Sequence, residues 1–381
     1  MQDPQIDKLA QVLVTYSVDV RPGNVVRISG STTALPLVRA IYRQVLTAGG
    51  HPLLRITDDE CQDAFYELAG AKQLRYVSPL VVREVETIDC SIGIWAEDNT
   101  KSMTRVDPDR QATVSQARRP IMKLFVERAA KKGKRKLRWT GTQFPCNAAA
   151  QDAEMSLAQY ERFVYSAGLL DHADPVGQWR KLSTRQQRLS DHLNKCKEAR
   201  FKTPQGTDLR VGVGRRRWIN SDGHENFPDG EVFTGPIEDA TEGIVCFSFP
   251  AVHGGREVHD VRLQFKAGRV VDASASKGED FLFKMLDQDK GARILGEIAF
   301  GTNYAITEYT RNTLFDEKIG GTFHAAVGAS YPETGGENES GLHWDMVCDL
   351  RCGGVVEADG KVISRNGRFT RASWPRPDAK G

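Results

Sequence analysis

Apolar positions recur at helical spacing from Ile6 to Tyr16, through Leu9, Val12 and Leu13. That period predicts an amphipathic helix. The turn Arg21-Pro22-Gly23 follows, and residues 24–29 (NVVRIS) form a β-branched run that reads as a buried strand. Helical spacing returns over 33–48 and stops at Gly49-Gly50, a C-cap signal. Pro52 opens a further strand, PLLRIT. Strand, helix and strand in this order make a βαβ unit, which predicts a mainly parallel sheet with helices on both faces. More strands fit 88–96 and 136–142, with a helix near 120–131 between them. Residues 152–168 predict a helix entered through an acidic turn and Ser156, and a very polar helical stretch covers about 174–198.

From Asp208 the period shortens. Short strands are broken by Gly, Asn, Asp and Pro in TDLRVGVG, GIVCFSFP, VHDVRLQFKAGRVVDASA and CGGVVEADGKVIS. Ala267-Gly268 and Asp359-Gly360 are hairpin signals. One helix fits 279–289. The expected organisation is an α/β N-terminal domain with a helical linker over 1–200, then a β-rich α+β domain over 201–381.

The length of 381 residues supports this division, since one core rarely grows so large. A formal charge of +2 gives no whole-chain reason to expect a nucleic acid or a membrane. Ten basic residues between Arg118 and Arg138 lack aromatic interleaving, so they read as a solvated helix end and turn. The N-terminus lacks the basic and apolar segments of a signal peptide, and no apolar run reaches the roughly 18–20 residues of a membrane span. Seven dispersed cysteines suit free thiols in a reducing cytoplasm. Cys348 and Cys352 have no second Cys or His pair at zinc-finger spacing. No G-x-G-x-x-G follows the first strand, so no dinucleotide is expected.

The chemistry concentrates in the C-terminal half. Glu231 follows the turn Pro228-Asp229-Gly230 and opens a short strand. Glu297 stands between Ile294-Leu295 and Ile298-Ala299-Phe300, where a carboxylate is costly to bury unless something positive meets it. His324 lies in Gly-rich, apolar IGGTFHAAVG. His343 and Asp345 are two apart, so on a strand they share a face and can chelate one ion. Each residue alone has a bland explanation in packing or turn geometry. Together they suit zinc, cobalt or manganese better than calcium. Tyr331 could donate to an oxyanion, or simply pack beside a loop.

The stretches NFPDGEVFTGP, ARILGEIAFGTN, DEKIGGTFHAAVGASY and HWDMVCDLR resemble the thermophilic metalloproteases of family M29. The N-terminal stretches KLAQVLVTYSVDVRPGNVV and RWTGTQFPCNAAAQDAEMSLAQYERFVY resemble it too. This resemblance implies a metal-dependent aminopeptidase that binds two divalent ions (zinc, cobalt, magnesium or manganese), acts on peptides and forms a homodimer. It implies Glu231, Glu297, His324, His343 and Asp345 as ligands, with Tyr331 and Glu297 catalytic. An alternative is a ring-cleaving dioxygenase similar to 2,5-dihydroxypyridine dioxygenase, with one iron(II) on two histidines and one aspartate. That branch is expected to lack the glutamate of GEVF and to carry histidine in place of Glu297. This chain keeps both glutamates.

Overall fold

The computed structural model describes residues 3–131, 133 and 136–377. It divides into two compact units, Met1–Val176 with Gly223–Pro228, and Gly177–Asp222 with Asp229–Gly381.

In the first unit, Val25–Ser31 is flanked by His51–Thr57 and Cys90–Trp95. Arg138–Gln143 and then Asn226–Phe227 extend the sheet, and every pairing is parallel. Helix Leu35–Thr47 makes the first crossover, and Gly49 takes the left-handed conformation just beyond its end (φ 76°). Ser156 caps helix Leu157–Ala167 in a capping box, accepting from the Gln159 backbone while Gln159 reaches back. Asp152 instead closes a separate short helix, Asn147–Asp152. The helix expected near 120–131 is the second half of Pro108–Ala130, capped by Asp107 with Pro108 in its first turn. Pro120 lies inside that helix and does not start it. In the basic run that follows, Lys132, Lys134 and Arg135 lie outside the described residues. Arg128 is buried and donates to the Val85 and Ile88 carbonyls at 2.7 and 2.6 Å. Arg138 donates to Asn24 Oδ1 at 2.6 Å.

The second unit is β-rich. An eight-stranded antiparallel sheet contains both expected hairpins, Arg262–Lys266 with Arg269–Ser274 and Val355–Ala358 with Lys361–Arg365. Their turns at Ala267-Gly268 and Asp359-Gly360 have positive φ at both residues, the type I′ geometry that matches strand twist. A five-stranded antiparallel sheet runs in the order His343–Asp349, Thr322–Gly328, Leu295–Gly301, Glu231–Thr234, Ile219–Ser221. The two sheets share one core. The Phe201 ring lies 4.4 Å from that of Phe323 and 5.6 Å from that of Phe300. Burying each such ring contributes about 1.5–3 kcal/mol. Helix Pro175–Leu193 sends Leu189 and Leu193 into this core, so residues 177–200 pack with the second unit. No described helix is long and apolar enough to cross a membrane.

Candidate metal centre

The five-stranded sheet sorts its side chains by alternation. Val232, Ile298, Phe300, Phe323, Trp344 and Met346 enter the core. Glu231, Glu297, His324, His343 and Asp345 fall on the opposite face. Glu297 departs from simple alternation, because Leu295 two residues earlier belongs to the core. A bulge resolves this. Leu295 pairs with Val327 and Glu297 with Ala326, leaving Gly296 as the extra residue. The inserted residue turns Glu297 onto the site face. Glycine is required there, since a Cβ would meet the Gly328 and Ala329 carbonyls at 2.3 and 2.4 Å.

Small cross-strand neighbours leave room above the sheet. Glu297, Ala326 and Asp345 form one row, Ala299 lies opposite His324, Gly301 opposite Glu231, and Gly328 opposite His343. His324 Nε2 is 3.4 Å from both Glu231 Oε2 and Glu297 Oε1, and 4.0 Å from Asp345 Oδ1. His343 Nε2 is 3.2 Å from Glu297 Oε2 and 3.5 Å from Asp345 Oδ2. Glu297 thus stands between the two imidazoles. Each Nδ1 faces a backbone carbonyl, Glu317 O at 3.0 Å and Ala329 O at 2.8 Å. A proton on Nδ1 leaves the Nε2 lone pair aimed into the cluster.

All five residues named by the sequence therefore meet. Among the described residues, three overlapping groups bring ligand atoms within 4.8 Å of one another: Glu231–Glu297–His324, Glu297–His343–Asp345 and Glu317–His324–Asp345. Tyr331 lies alongside, its ring 5.1 Å from that of His343 and 5.5 Å from that of Phe233, both edge-on.

Two members escaped the sequence reading. Glu317 supplies a fourth carboxylate. Lys318, wholly buried, pairs with Glu317 and lies 3.8 Å from Glu231 Oε1. The signal was available in LFDEKIGG, where charges interrupt apolar residues just as they do around Glu297.

Charge dominates this volume. Four carboxylates face one ammonium, leaving three negative charges in excess while the imidazoles are neutral. Burial pushes the Glu231 carboxyl up, against the pull of Lys318. Burial also opposes ionisation of Glu297 and Asp345, but the histidines hold both below the usual carboxylate range. Burial disfavours charge on His324, yet Glu297 and Glu231 push its pKa up to about 10. Asp345 and Glu297 likewise outweigh burial at His343 and push it up to about 12. Glu231 Oε2 and Asp345 Oδ1 are buried and accept no hydrogen bond. Orphaned buried carboxylate oxygens are costly unless a cation meets them. The nitrogen and oxygen donors therefore fit divalent metal.

Similarity to known proteins agrees with this chemistry. The family described as thermophilic metalloprotease (M29) matches residues 2–369. Aminopeptidase AmpS of Bacillus subtilis is 27% identical, over 96% of this chain and 98% of that protein. The structure of wild-type AmpT from Thermus thermophilus superposes with a TM-score of 0.83 at 25% identity, over 96% of this chain and 99% of that one. 2,5-Dihydroxypyridine dioxygenase from Pseudomonas putida shares the fold, with a TM-score of 0.59 at 12% identity over 97% of each chain. With the family match spanning nearly its whole length, the chain belongs to the M29 thermophilic metalloproteases.

Proposed function

We propose that this protein is a metal-dependent aminopeptidase, releasing N-terminal residues from peptides with two divalent ions held by Glu231, Glu297, His324, His343 and Asp345. The observation that carries the reading is the pair of buried carboxylate oxygens that accept no hydrogen bond, Glu231 Oε2 and Asp345 Oδ1, within a cluster that holds three negative charges in excess once its imidazoles are neutral. Two divalent cations would offset that excess to within one charge. Relatives named aminopeptidase support the substrate class.

Bound ions would supply Lewis acidity toward the scissile carbonyl and lower the pKa of water. The protein's own groups do the rest. Glu297 reaches toward both histidines and would help to hold both ions. The Glu317 and Ala329 carbonyls fix the imidazole tautomers. Desolvation of the Tyr331 phenol, reinforced by the charges of Glu297 and Asp345, pushes its pKa up, so it stays a proton donor near neutrality. A neutral phenol beside the cluster suits the oxyanion of a tetrahedral intermediate.

The test is hydrolysis of leucine p-nitroanilide by chelator-treated protein, with and without added cobalt or zinc. Metal-restored turnover is expected. Iron(II)-dependent oxygen uptake with a dihydroxypyridine, without peptidase activity, would instead support a dioxygenase.

A further inference from the structure

The geometry points to unequal cation positions: the buried ammonium of Lys318 makes the one framed by Glu231, Glu297 and His324 fill after the one framed by Glu297, His343 and Asp345. This rests on the two-ion reading above and concerns the order of filling.

Lys318 sits in a turn, its backbone N–H donating to Phe315 O at 3.0 Å and its carbonyl accepting from Asn303 N at 3.1 Å. The backbone is therefore pinned, and the side chain runs wholly buried into the cluster. An ammonium stays in such a place only when carboxylates hold it. Glu317 and Glu231 do so. Glu231 belongs to only one of the three ligand groups. With Oε1 turned toward Lys318, its Oε2 remains to meet a cation. A cation there would lie one carboxylate away from a fixed positive charge. Lys318 makes no ion pair with Glu297 or Asp345 among the described residues; it meets the Asp345 side only through Glu317, whose carboxylate pairs with it most closely and offsets its charge there.

Like charges separated by one carboxylate in a buried site repel by enough to cost roughly a hundredfold in affinity, after screening by Glu231 and Glu317. Apo protein should therefore fill in two steps.

Chelator-treated protein is dialysed against a graded series of free cobalt(II), and bound cobalt is measured by elemental analysis. Wild-type protein should give two steps separated by roughly a hundredfold. Lys318→Met should move the second step to at least about tenfold lower free cobalt and leave the first in place. Circular dichroism of the chelated variant checks its fold. Two indistinguishable sites in wild type would overturn the inference, and this isotherm decides even if the variant does not fold. So would a folded variant whose isotherm superimposes on wild type. A single cobalt in wild type with a second gained by the variant would support it. No bound cobalt at any concentration would defeat the two-ion reading itself.

Discussion

Replacing Glu297 by glutamine removes one charge from the centre of the cluster with almost no change in volume. Glu297 is 4% exposed, and its two oxygens lie 3.4 and 3.2 Å from the His324 and His343 imidazoles. In metal-loaded protein both ions would lose a negative ligand. Losing one charged partner in a buried set costs about 3–5 kcal/mol, which is roughly 10²–10⁴ in metal affinity. In metal-free protein the same change takes away the carboxylate that both protonated imidazoles face, so some stability should be lost there as well. The signature is therefore the gap between loaded and chelated protein. If wild type holds metal at about a thousandfold above its Kd, binding adds about 4 kcal/mol. A hundredfold weaker variant retains about 1.4 kcal/mol of this at the same concentration. At about 2–4 °C per kcal/mol for a folding unit the size of the β-rich one, the metal-dependent rise in the Tm of that unit should shrink by roughly 5–10 °C. Calorimetry with cobalt and with chelator measures it. Glu297→Gln protein that keeps the full metal-dependent gap would refute Glu297 as a ligand.

Other predictions follow from the same geometry. Tyr331→Phe should lower kcat by about 10²–10³ while metal content stays unchanged, as expected for loss of one oxyanion donor; a drop in bound metal would instead mark a structural role. The imidazoles of His324 and His343, pushed up to about 10 and 12 in the metal-free cluster, are protonated at pH 7.5 and must be neutral to ligate. Metal uptake should thus release about two protons, and affinity should strengthen as pH rises. Calorimetric titration in buffers of different ionisation enthalpy counts them, and zero released protons would contradict the assignment. Burial pushes the thiols of Cys90 and Cys348 up to about 11 and 12, so a thiol reagent at pH 8 should label exposed Cys61 and Cys352 and spare these two until unfolding.

Much of this was legible in the sequence because it rests on local periods. The first βαβ unit and both type I′ hairpins depend on short-range spacing and turn chemistry. Helices Asp59–Leu68 and Pro79–Thr87 went unread although Asp58 and Ser78 cap them and Pro79 stands in a first turn. Their apolar faces are only partly covered, so hydrophobic spacing underplays them. Helix Pro108–Ala130 was half seen because Pro120 reads as a start and lies inside. At the site, the five named residues stand on strands with apolar flanks, where a charge is conspicuous. Glu317 and Lys318 follow the short helix Thr313–Asp316, and only the fold returns them to the sheet face. The bulge at Gly296 was equally hidden, because it is defined by the register of a partner strand.

On the proposed function, this sheet face binds two catalytic divalent ions. Elemental analysis at saturating cobalt, run on the same samples as leucine p-nitroanilide turnover, tests it most directly. Two ions per chain, with turnover lost on chelation and regained on reloading, is the predicted result. Chelator-insensitive hydrolysis, or protein that holds no cobalt, would contradict it.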